Sequence, residues 1–180
     1  MKKIITCLLT LSMMFMFSAT AFASDFSGNA ESELSNISDK IVTAVNDVYS
    51  DKNISITAED INYDSAFKIY VDTNVFKLST NVAGEIENAL ENGNYIYLLP
   101  IDTVNGTVVV NFQKGLPLSE NAKAILSEEE QQEVLDNAGK WVISSLALYK
   151  NGNSNYDYEK KLSSIIDEIP ADTILVGGLP

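Results

Sequence analysis

Arginine and histidine are missing from this sequence altogether, and its one cysteine and four methionines all lie at or before Met16. Each absence removes a class of chemistry. Without histidine there is no imidazole base for a catalytic triad and no imidazole-ligated zinc. Without arginine the bidentate fork that reads phosphate or guanine is missing. Past Cys7 there is no disulfide, thiol nucleophile or thiolate metal site. Positive charge is scarce too: 12 lysines face 25 acidic residues, for a net charge of −13. A surface of that sign repels nucleic acid and anionic lipid. No Gly-x-Gly-x-x-Gly, P-loop or His-Glu-x-x-His motif occurs, so no cofactor is implied.

What is present begins at the N-terminus. Lys2 and Lys3 precede an apolar run from Ile4 to Phe17, and Ala21-Phe22-Ala23 places small residues before Ser24. That is the three-part pattern of a secretory signal peptide over residues 1–23. The run is shorter than the roughly 20 residues that span a bilayer. Cys7 is far from the cut, where a lipoprotein would need its cysteine. Cleavage leaves 157 of the 180 residues and removes two lysines, so the net charge becomes −15. The remainder is the size of one domain with a single core. Its Asn, Ile and Lys usage without Arg points to a bacterium with an AT-rich genome.

Residues 24–31 are small and polar, the composition of a flexible N-terminal arm. A single α+β domain is expected over 32–180. Leu34, Ile37, Ile41, Val45 and Val48 recur at helical spacing. Ile54-Ser55-Ile56-Thr57 alternates like a short strand, and Phe67, Ile69 and Val71 alternate against Lys68, Tyr70 and Asp72. Val82, Ile86, Ala89 and Leu90 share one helical face, and Gly93 stands where a left-handed cap would close that helix. Asn105-Gly106 between two β-rich runs predicts a hairpin with a type I′ turn. Pro100 marks an edge position or a bulge. Ser119 and Ser127 are N-caps, the latter with Glu130 in a capping box. Trp141, Ile143, Ser145, Ala147 and Tyr149 would share one face of a strand. Residues 157–169 read as a helix closed by Pro170, and 173–176 as a last strand. Two strand pairs separated by helices argue for a mainly antiparallel sheet with helices packed on one face. The chain stops on Gly177-Gly178-Leu179-Pro180 straight after an apolar strand, the ending expected of a fragment.

Candidate chemistry is thin. Ser65-Ala66-Phe67-Lys68 has the Ser-x-x-Lys spacing that sets an amine one helical turn from a nucleophilic serine, but it falls on a strand. Asn151, Asn153, Asn155, Asp157 and Glu159 alternate like Ca²⁺-loop ligands, yet Tyr156 and Leu162 occupy the places that need glycine and a bidentate acid. Glu128, Glu129 and Glu130 fit the electrostatics of a helix start. Glu85, Glu87 and Glu91 fit a solvated helix face. Tyr95, Tyr97, Trp141, Tyr149, Tyr156 and Tyr158 could stack on sugar rings if exposed, with Tyr156 the one expected to face water. No residue is assigned to catalysis, a cofactor or a metal. The expectation is a secreted, non-catalytic binding domain at the cell envelope or outside the cell, its partner a cationic protein or envelope polymer. The alternatives are a carboxylate-based hydrolase of extracellular glycan, and an inhibitor or oligomer-forming module that uses the first helix as its contact.

Overall fold

The computed structural model describes residues 26–71, 83–170 and 172–177, without the side chains of Ala83 and Glu87. Residues 1–23, whose pattern is that expected of a signal peptide, lie outside them. Five strands form one sheet in the order β4-β3-β2-β1-β5. They are β1 (Phe67–Val71), β2 (Asn94–Thr103), β3 (Gly106–Lys114), β4 (Trp141–Tyr149) and β5 (Leu175–Val176). The four long strands run antiparallel, and β5 pairs parallel with β1 at the edge. The fold is α+β in a single domain, as the element order predicts.

The main helical layer comes from the first amphipathic segment. It forms α1 (Ala30–Leu34), a 3₁₀ turn (Ser35–Ile37) and α2 (Ser38–Tyr49). Leu34, Ile41 and Val45 are fully buried against Tyr97, Leu99 and Ile101 of β2 and Val108, Val110 and Phe112 of β3. The first helix therefore spends Leu34, Ile41 and Val45 on its own sheet, while Val48, the last residue of the stripe, is exposed. The opposite face carries a smaller cluster of Phe26, Phe67 and Ile69, capped by Tyr158 and Leu162 of a short helix, α6 (Tyr158–Ser163). Phe26 is buried and its carbonyl accepts from the Lys68 N–H at 2.7 Å.

Several local expectations are corrected by long-range partners. Ile54 and Ile56 are buried as their alternation implies, but they join no ladder. The Asn46 side chain stands in for a neighbouring strand: its Nδ2 donates to the Ile56 carbonyl at 3.0 Å and its Oδ1 accepts the Ile56 N–H at 2.8 Å. Asn46→Ala should therefore cost about 2 kcal/mol, since it orphans two backbone groups beside the core. Denaturant melts of the two proteins check this. The helix after Asp157 ends at Ser163, where Ser163 and Ser164 turn their hydroxyls back onto the carbonyls of Lys160 and Lys161. Ile165 and Ile166 lie beyond it, exposed.

The hairpin stands, but not its turn type. Thr103 pairs with Gly106, so the loop residues are Val104 and Asn105, and neither has the positive φ that type I′ requires. Gly93 likewise has no left-handed backbone; its N–H donates to the Leu90 carbonyl. Pro100 sits where β2 has run past the end of β1, a local edge, and its carbonyl accepts from Ser65 Oγ at 3.2 Å. In β4 a bulge inserts Ser144, because Asn111 pairs with Ser145 while Phe112 pairs with Ile143. The phase flips there. Trp141 and Ile143 share the helix-covered face with Leu146 and Leu148, not with Ala147 and Tyr149.

Candidate functional site

Two constellations of polar side chains stand out. The first is centred on Glu33 of α1. Its carboxylate accepts from Tyr95 OH at 2.9 and 3.0 Å, Tyr97 OH at 3.3 Å and Trp141 Nε1 at 3.0 Å. Tyr97 is fully buried; Glu33, Tyr95 and Trp141 are half-buried. The three rings pack on one another at centroid distances of 5.2–5.7 Å. Lys68 Nζ lies 3.9 Å from the Tyr95 ring centroid, and Lys114 Nζ lies 5.3 Å from that of Trp141. Burial first, then the Glu33 carboxylate, pushes the Tyr95 hydroxyl up to about 12, and the same causes raise Tyr97. A carboxylate holding three donors is a structural clamp. It fastens α1 to two strands.

The three aromatic residues are legible in the sequence as candidates, but the acid that joins them is not. Its only local sign is a charge next to Leu34 in an otherwise apolar helical face.

The second constellation is acidic. A cleft of about 510 Å³ opens between the N-terminal segment and the start of β1, with Glu31, Asp64 and Glu159 in its walls. All three are exposed, and none of the three carboxylates accepts a hydrogen bond or pairs with a cation among the described residues. A smaller cleft of about 210 Å³ shares Ser65, Phe67 and Glu159 with the first and adds Asp102, Asp157 and Tyr156. No lysine lines either. Here Asp102 accepts from Thr107 Oγ1 at 2.7 Å, Tyr156 OH lies 3.0 Å from that same hydroxyl, and Asp157 caps α6. The acids are spread out: no three acidic groups among the described residues could hold one metal ion.

The other sequence candidates have structural roles. Ser65 lies in a 3₁₀ turn and donates to the Asn62 and Pro100 carbonyls, while the Lys68 amine rests on Tyr95. Asn151 donates to the Val104 carbonyl, and Asn153 and Asp157 accept local backbone N–H groups. Ser119 and Ser127 cap α4 (Glu120–Lys123) and α5 (Glu128–Asn137), the latter in a capping box that pulls the Glu130 carboxyl below its ordinary range. Glu85 and Glu91 are exposed on α3 (Ala83–Glu91). Tyr158 packs edge-on against Phe67, and Tyr149 against Tyr156, which is half-buried. Among the described residues no helix is long and apolar enough to cross a membrane. No protein family, curated protein or solved structure matches this chain.

Proposed function

We propose that the protein is exported, cut before Ser24, and acts at the cell envelope or outside the cell as a non-catalytic binding domain for a cationic protein or envelope polymer. The observation that carries this reading is the cleft with three unengaged carboxylates, Glu31, Asp64 and Glu159, and no lysine in its walls. Uncommitted charge of one sign around a concave surface is free to meet the opposite charge on a partner. Because these acids do not converge on one point, an extended cationic chain suits them better than a single ion.

The alternative, a carboxylate-based glycan hydrolase, draws support from the smaller cleft, where Tyr156 lies beside three acids. Asp102 and Asp157 are already engaged there, which favours binding. The test is to incubate the secreted, mature protein with peptidoglycan and with plant and host polysaccharides. Retention without product release is the expected result. Product release that disappears when Glu159 is changed to Gln would replace binding with catalysis.

A further inference from the structure

Among the described residues, one edge of the sheet is bare. β4 is nine residues long, and among the described residues its backbone bonds only to β3. An unpaired edge offers a row of free N–H and C=O groups to another strand, and proteins usually blunt such edges with charge, proline or a bulge. β4 carries the bulge at Ser144 but neither of the other two: Trp141 to Tyr149 contains no charged residue and no proline, in a chain whose mature charge is −15. Its apolar side chains are also incompletely covered; all seven keep partial exposure.

We infer that β4 pairs antiparallel with β4 of a second copy of this chain, joining two five-stranded sheets across a two-fold axis normal to the sheet. The strand is complementary to itself. Turned about the Ser144–Ser145 bond, Trp141 meets Leu148 of the second copy, Ile143 meets Leu146 and Val142 meets Ala147. Trp141, Ile143, Leu146 and Leu148 all belong to the helix-covered face, so each pair keeps to its side of the sheet despite the bulge. The bulges of the two copies lie opposite each other at the axis, so the strands match residue for residue. A straight partner strand would repeat the mismatch that β3 shows. Charge points the same way. Two copies of −15 repel over most of their surfaces, and this uncharged strand is where they can approach at least cost. A nine-residue edge is smaller than the ~800 Å² per partner of a standard stable interface, so the dimer is weak and concentration-dependent.

The inference is independent of the acidic clefts. Sedimentation equilibrium of the mature chain over a wide concentration range tests it, at low and high salt, with hydrogen exchange on the same samples. A monomer–dimer equilibrium is expected that tightens as salt screens the repulsion, with β4 amides gaining protection in the dimer. Ser145→Lys places like charges on an exposed position at the axis and should weaken association about ten-fold or more, whereas Ser145→Thr should leave it intact. A monomer at every concentration, or a dimer indifferent to Ser145→Lys, or protection gained away from β4, would overturn the pairing.

Discussion

Replacing Gly106 by alanine should destabilise the protein by about 3 kcal/mol. Gly106 opens β3 at φ +140°, a conformation L side chains rarely adopt. A Cβ built there would lie 2.3 Å from the Tyr149 carbonyl oxygen and 3.2 Å from Leu148 Cδ1. The neighbour in the way is backbone, so it cannot rotate aside. Either β4 moves off β3 or the strand bends. Backbone strain of ~1–3 kcal/mol and overpacking of ~1–3 kcal/mol add to that figure. Gly84, on exposed α3, is the internal control, because a Cβ there meets nothing within 4 Å. Gly84→Ala should stabilise by about 0.5–1 kcal/mol through helix propensity and a stiffer unfolded chain. Denaturant midpoints at constant slope separate the two. An unchanged midpoint for Gly106→Ala would mean that the two strands do not approach this closely.

Removing the clamp acid should have an effect of similar size. Glu33→Ala leaves the buried Tyr97 hydroxyl, the Tyr95 hydroxyl and the Trp141 indole N–H without their acceptor. Each orphaned group costs ~1–3 kcal/mol, and hydrogen bonds to a charged acceptor lie toward the upper end, so a loss of about 3 kcal/mol is expected. Glu33→Gln keeps the volume and one acceptor oxygen and should lose less. Trp141 is the chain's only tryptophan, so its emission reports this network directly. The clamp also sets an alkaline limit. The folded Tyr95 hydroxyl is raised from an ordinary 10.0 to about 12, and Tyr97 is raised as well. Both are neutral in either state below pH 10, so their contribution to stability is fully present there. Between pH 10 and about 12 the unfolded chain ionises first, and that contribution is lost. Burial raises Tyr49 and Tyr63 as well, so tyrosinate absorbance followed against pH should show several late-titrating tyrosines, of which two come down in Glu33→Gln.

How much of this was legible depended on how far each residue's partner lies along the chain. The caps at Ser119 and Ser127, the hairpin and the stripe from Leu34 to Val45 are local or periodic, and all stand. Ile54 and Ile56 showed their burial but not their setting, because the group that replaces a strand for them is the side chain of Asn46 in a helix. The alternation through Trp141–Tyr149 misled at one residue, Ser144, whose bulge is visible only against β3. Glu33 was the least legible. Its partners lie 62, 64 and 108 residues away, and no local spacing connects them. The acidic cleft was foreshadowed only as excess charge. Its residues come from the first helix, the turn before β1 and the last helix, and folding alone brings them together.

The central claim, that this cleft receives a cationic partner, is tested most directly by two variants of equal net charge. One carries Glu31→Gln, Asp64→Asn and Glu159→Gln. The other carries Glu128→Gln, Glu129→Gln and Asp136→Asn on α5, away from the clefts. Affinity of each for a lysine-rich peptide is measured at low and high salt. The cleft variant should lose most of its affinity and most of its salt dependence, while the α5 variant stays close to the unmodified protein. Equal losses in the two would show that only overall charge attracts the peptide, and would contradict a binding site at Glu31, Asp64 and Glu159.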